Sequence, residues 1–200
     1  MTVLQQGLER YLSAGQLDRL ASVRVGIAGC GGLGSNCAML LARSGIRRFT
    51  LADFDLVDAS NLNRQFFFPS DVGQPKVEAL GRRLLELDPE LDLKLINGRL
   101  EAESLPQVYA GCDILVEALD KAEYKAIFCN LFMERDVFLV CASGLGGFGG
   151  APMRSRKLGR NMVCVGDFST EADEANPPLA PRVMQAAAMQ ADAVLARILG

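Results

Sequence analysis

Apolar positions along the chain alternate between two kinds of spacing. Residues 23–28 and 137–142 are nearly unbroken apolar runs, and 47–52, 91–97 and 113–118 are shorter or more alternating ones. Runs of this length read as strands, and near-continuous ones as central parallel strands covered on both faces. Between them, residues 33–44, 75–87 and 124–135 carry helical spacing; Val77, Leu80, Leu84 and Leu87 form one apolar stripe. Residues 4–20 place Leu4, Leu8, Leu12, Leu17 and Leu20 among charged neighbours, which reads as one or two helical turns broken near Gly15. Residues 105–110 suggest a short helix. Strand alternating with helix predicts an α/β fold: a Rossmann-like, doubly wound, mostly parallel sheet wrapped by helices.

The pattern changes after Gly144. Residues 144–150 are glycine-rich, and 153–158 with 161–168 read as a β-hairpin turning at Gly159-Arg160. Residues 169–181 are acidic and then proline-rich, a surface loop or lid. Pro181 opens a last helix, 183–199, rich in Ala and Met. The expected organisation is a helical segment at 1–22, a core at 23–150, and a C-terminal hairpin, loop and packing helix at 151–200 within the same domain.

The first strand runs into G-C-G-G-L-G-S at 29–35. Gly29, Gly31 and Gly34 make G-x-G-x-x-G, and Gly32 adds a fourth glycine. Such a turn lets backbone approach a phosphate, at which the following helix points its positive end. Asp53 lies about 20 residues on, at the end of a second apolar run, where a carboxylate accepts from ribose hydroxyls. The combination points to an adenine-nucleotide site without saying which nucleotide. A nicotinamide-dependent oxidoreductase explains the glycines and Asp53, but nothing else.

Composition narrows the chemistry. The 200 residues are half apolar, enough for a real core, and carry a net charge of −3, which argues against electrostatic nucleic-acid binding. No segment approaches the ~18 uninterrupted apolar residues of a membrane span. The first residues lack the order of a secretory signal, so a cytoplasmic protein is expected. Cys30, Cys37, Cys112, Cys129, Cys141 and Cys164 contain no C-x-x-C pair and read as reduced thiols, mostly in apolar runs. With no histidine, no zinc site is expected, and Ser-His-Asp or Cys-His catalysis is excluded within this chain.

The remaining candidates are polar residues at strand ends. A long loop, 55–71, holds Asp58, Ser60, Asn61, Asn63, Arg64 and Gln65, and Lys76 opens the next helix. Asp120 follows the fourth strand at the same edge, where open α/β sheets bind ligands. Two cations, two amides and two carboxylates beside the glycine turn suit a triphosphate. Arg64 and Lys76 would neutralise oxygens at the reacting phosphorus, and Asp120 would hold Mg²⁺.

These segments resemble the ThiF/MoeB/HesA family, bacterial relatives of ubiquitin-activating enzymes. The matching pieces are G-C-G-G-L-G-S at 29–35, L-A-D-F-D-L-V at 51–57, S-N-L-N-R-Q at 60–65, G-Q-P-K at 73–76 and Asp120. The similarity covers roughly residues 20 to 145. Short length and missing zinc cysteines point within the family to the short ThiF-like proteins that adenylate the sulfur carrier ThiS. The resemblance implies that the C-terminal glycine carboxylate of a ubiquitin-like carrier ending in Gly-Gly attacks the α-phosphate of ATP. The products are an acyl-adenylate and pyrophosphate, and the enzyme is a homodimer. It implies Gly32 under the phosphates, Asp53 on the ribose, and Asp55 within the matched motif beside it. Ser60, Asn61, Asn63, Arg64 and Lys76 would lie on the phosphates, with Asp120 on Mg²⁺. Activation of a molybdopterin-type carrier or a small substrate is a sibling reading; a carrier-binding relative without catalysis is another.

The chain departs from the family pattern. The four zinc cysteines that longer relatives place in the second half are absent. The opening R-Y-x-R is Arg10-Tyr11-Leu12-Ser13 here, leaving Arg10 or Arg19 to replace an arginine reaching the partner's ATP. Asp120-Lys121 replaces Asp-Asn. For a sulfur-transfer thiol, Cys164 is the one candidate.

Overall fold

A computed structural model describes residues 2–200. The chain runs α1 (Val3–Leu8), α2 (Ala14–Ser22), β1 (Arg24–Ala28), α3 (Gly32–Arg43), β2 (Arg48–Asp53), α4 (Lys76–Leu87) and β3 (Asp92–Asn97). It continues through α5 (Leu105–Val108), β4 (Ile114–Glu117), α6 (Ala122–Phe132), β5 (Phe138–Ala142), β6 (Arg154–Leu158), β7 (Met162–Gly166) and α7 (Ala180–Leu199). The seven strands form one sheet in the order β3-β2-β1-β4-β5-β7-β6. All neighbours pair in parallel except β6 and β7, which form the antiparallel hairpin. The fold is the mostly parallel α/β sheet expected. The hairpin joins the same sheet, because β7 hydrogen-bonds in register to β5, Cys141 opposite Cys164.

Two cores cover the sheet. On one face Ile27, Leu51, Leu41, Leu80, Ala187 and Val194 bring α3, α4 and α7 together. On the other, Leu115, Leu139, Tyr109, Phe128 and Phe132 bury α5 and α6. β1 reads as apolar because both cores press on it. Strand order reverses between β1 and β4, and the crevice at their carboxyl ends is where such sheets bind ligands.

Some boundaries differ from the sequence reading. Gly15 lies inside α2, and the break falls at residues 9–13 instead. Ser13 caps α2 by a reciprocal box: its side chain accepts from the Gln16 amide, and the Gln16 side chain accepts from the Ser13 amide. Helix α6 runs from Ala122 to Phe132, earlier than the expected 124–135, and the 55–71 loop contains two 3-10 turns, Ala59–Asn61 and Pro69–Asp71.

Candidate functional site

The glycine turn is built by close contact. Gly29 has φ +93, and a Cβ there would stand 2.6 Å from the Ala118 carbonyl oxygen at the end of β4. A Cβ on Gly34 would stand 1.9 Å from the Gly29 oxygen, so this glycine lets α3 pack on the turn. Gly31 has open space instead, its nearest neighbour being Gln65 at 3.8 Å.

Asp53 ends β2 and braces that turn. Its Oδ2 accepts from the Cys30 amide at 2.6 Å and its Oδ1 from the Asp55 amide at 2.8 Å. Burial raises its pKa, opposed by these two amides and the positive charge of Lys76. A carboxylate offers about four acceptor positions, so two remain.

The polar loop is tied to the start of α3. Ser35 Oγ donates to the Gly31 carbonyl at 2.6 Å and accepts from the Phe66 amide at 2.9 Å. Asn36 Nδ2 donates to the carbonyls of Gly32 at 2.6 Å and Arg64 at 2.8 Å. Sequence reasoning passed over both; polar residues within an otherwise apolar helix were their signal. Arg64 Nη1 donates to the Ser60 carbonyl at 3.1 Å and to Asn63 Oδ1 at 2.7 Å, which aims the guanidinium. Its pKa is lowered by burial. Lys76, buried at the start of α4, donates from its Nζ to Asp55 Oδ2 at 2.7 Å.

A cleft of 970 Å³ opens at this sheet edge. Gly29, Gly31, Gly32, Asp53, Asp55, Asn61, Arg64, Lys76 and Asp120 all line it. Asp120 is exposed, and no hydrogen bond or ion pair engages its carboxylate among the described residues. Gly34, Ser60 and Asn63 are not in the lining: Gly34 serves packing, while Ser60 and Asn63 hold Arg64. Asn63 also donates to the Pro178 carbonyl at 3.2 Å. Arg10, Arg19 and Cys164 lie outside the lining as well. Cys164 is buried in β7, opposite Cys141 of β5. A second cleft, 930 Å³, lies between the end of α6 and the β6–β7 turn and contains none of the expected site residues.

The lining adds residues that sequence reasoning did not select, among them Arg99, Tyr124, Lys125 and Val183. Arg99 donates to the Tyr124 hydroxyl at 2.8 Å and lies 5.6 Å from the Phe54 ring centre, an aromatic and cationic lip. Thr170 and Glu171 bring the acidic loop to the cleft, held by the Thr170 carbonyl accepting from the Gly146 amide at 3.2 Å.

The ThiF family model matches residues 5–200. The tRNA threonylcarbamoyladenosine dehydratase of Bacillus subtilis (strain 168) is 34% identical over 146 residues, covering 71% of this chain and 58% of that protein. The sulfur carrier protein ThiS adenylyltransferase of Escherichia coli (strain K12) is 34% identical over 137 residues, covering 68% and 54%. The chain thus spans little more than half the length of these curated relatives. Among solved structures, E. coli tRNA N6-threonylcarbamoyladenosine dehydratase in complex with ATP superposes with a TM-score of 0.86 at 22% identity, covering 97% of this chain and 93% of that one. That likeness establishes the fold. With the family model running from residue 5 to the last residue, the chain belongs to the ThiF family.

Proposed function

We propose that the protein is an ATP-dependent adenylyltransferase that activates the C-terminal glycine carboxylate of a ubiquitin-like, ThiS-type sulfur carrier, acting as a homodimer. One observation carries this reading: a guanidinium, an ammonium and an unengaged carboxylate line one cleft with the glycine turn. A nicotinamide site leaves Arg64, Lys76 and Asp120 without a role.

In this reading the triphosphate lies over the open space at Gly31 and runs beside Gly32, where the Val183 and Arg64 side chains come close. Asp53 accepts from the ribose hydroxyls with its two remaining acceptor positions. The carrier carboxylate attacks the α-phosphorus, a new P–O bond forms, and the bond to the β-phosphate oxygen breaks, releasing pyrophosphate. Arg64 and Lys76 stabilise charge on the phosphate oxygens as it shifts. The attacking carboxylate is already ionised at neutral pH, so no general base is needed, which suits a chain without histidine. Mg²⁺ would add neutralisation of the phosphates, and the free Asp120 carboxylate is the oxygen ligand that fits it.

A second reading has a specific support, the 34% identity to a tRNA threonylcarbamoyladenosine dehydratase. The threonyl carboxylate of such a nucleoside is chemically equivalent to a carrier's C-terminal carboxylate. The experiment is exchange of labelled pyrophosphate into ATP, supplied in turn with carriers ending in Gly-Gly and with tRNA. Exchange with a carrier, lost in Arg64→Ala and Asp120→Ala, is the expected result. Exchange with tRNA alone moves the assignment to the nucleoside. No exchange with either, despite ATP binding, sinks both.

A further inference from the structure

Where Lys125 lines the cleft, it pairs with a buried carboxylate that has an unusual target. Glu117, the last residue of β4, is fully buried. Its Oε1 accepts from the Leu119 amide at 2.7 Å and from Lys125 Nζ at 2.9 Å. The same Nζ donates to the Leu119 carbonyl at 2.8 Å. One carboxylate oxygen and one ammonium therefore hold both the amide and the carbonyl of a single residue, the one before Asp120. From the other side, Gln190 Nε2 of α7 donates to the Glu117 carbonyl at 2.9 Å, and the Ala118 amide donates to Ala28 at 2.9 Å. The chain leaving β4 is fixed up to Leu119, and Asp120 follows with an unengaged carboxylate.

A fully buried carboxylate held by an ammonium is a poor choice for stability alone, since apolar residues of similar volume often do as well or better. Here the charges do something apolar residues cannot: they set the orientation of one peptide unit. We infer that Glu117 and Lys125 are positioning residues, a clasp on Leu119 that aims the Asp120 carboxylate into the cleft for the metal–nucleotide complex. This rests on the adenylyltransferase reading, in which Asp120 takes Mg²⁺.

The test is calorimetric binding of a non-hydrolysable ATP analogue to the full chain, with Mg²⁺ and in EDTA. Lys125→Met should weaken binding about 10-fold or more in Mg²⁺, as loss of an outer-shell partner does, and leave binding in EDTA unchanged. Asp120→Asn should show the same split, and Lys125→Arg, which can still bridge Glu117 and Leu119, should restore most of the affinity. Equal weakening in both solutions would mean that the ammonium touches the nucleotide itself, and overturns the clasp. So does an inert Lys125→Met beside a responsive Asp120→Asn. If Asp120→Asn is inert, the underlying metal assignment fails, and the clasp with it. Thermal unfolding of each variant checks its fold. Should Lys125→Met not fold, Glu117→Gln, which keeps an acceptor for Leu119 but loses the charge, must show a loss confined to Mg²⁺; a loss in both solutions overturns the inference.

Discussion

Asp167 and Arg182 form an ion pair at 2.5 Å with both side chains buried, joining the end of β7 to the first turn of α7. Arg182 Nη1 also donates to the carbonyls of Gly149 at 2.6 Å and Ala151 at 3.3 Å. Asp167 Oδ1 accepts the amides of Ser169 and Thr170, each at 2.8 Å. The pair thus cross-links the glycine-rich turn, the acidic loop and the last helix, in the half of the chain where longer relatives were expected to carry zinc cysteines. Arg182→Met leaves a buried carboxylate without its counter-ion and should destabilise by about 3–5 kcal/mol in urea unfolding. Adding Asp167→Asn should recover only part of this, because the two loop amides then meet a weaker acceptor. Full recovery would show that the loop does not depend on Asp167.

The same carboxylate predicts a pH dependence. Burial pushes Asp167 up, but hydrogen bonds from Thr170 and Ser169 outweigh it and bring its pKa down to about 2. In the unfolded chain an aspartate titrates near about 3.9. The folded value is the lower one, so this contribution is complete above about 4 and drains away as pH falls toward about 2. The urea midpoint of the wild type should drop steeply across that window, and Asp167→Asn should flatten the drop. Equal slopes in the two proteins would assign acid sensitivity to other carboxylates.

Two glycines of one motif should fail in different ways. A methyl on Gly34 would stand 1.9 Å from the Gly29 oxygen, backbone against backbone, with nothing flexible to yield. Gly34→Ala should cost at least about 2 kcal/mol of stability. A methyl on Gly31 meets nothing closer than 3.8 Å, and Gly31→Ala at a helix cap should cost under about 1 kcal/mol. That methyl enters the space proposed for phosphates, so ATP affinity should fall by about 10-fold, near 1.4 kcal/mol. A Gly31→Ala variant that binds ATP normally would place the triphosphate elsewhere.

What could be read in the sequence was whatever local spacing encodes. The runs at 23–28 and 137–142 are apolar because both sheet faces are covered, and the glycine turn announces itself by backbone needs alone. The break between α1 and α2 was misplaced because Gly15 drew attention, while the capping box of Ser13 and Gln16 decides it. Asp167 and Arg182 were invisible for another reason. They are 15 residues apart, and only the placement of β7 beside β5 and of α7 across α3 brings them together. Glu117 and Lys125 were hidden likewise, by the direction in which α6 leaves the sheet. Arg64, Lys76, Asn63 and Asp55 could all be named as candidates, but not that Asn63 and Asp55 hold the two cations, since hydrogen-bond partners depend on how the loop folds back.

Lys76 gives the sharpest kinetic prediction. Its ammonium is nearly buried and bonded to Asp55, whose own side chain is 47% exposed at the cleft. An ammonium has three donors, and the Asp55 bond uses one, so a triphosphate can engage the others without breaking the pair. Asp55 then acts as the tether that keeps a flexible side chain aimed. Lys76→Ala removes the charge and should slow pyrophosphate exchange by about 100-fold or more, as loss of one transition-state donor does. Lys76→Arg should recover little, because a planar fork does not fit a place shaped for a compact ammonium. Asp55→Asn keeps an acceptor and should lower the rate far less than Lys76→Ala. If Asp55→Asn is as slow as Lys76→Ala, the carboxylate is itself part of the chemistry rather than a tether. If Lys76→Ala exchanges at the wild-type rate, the ammonium does not touch the reacting phosphate.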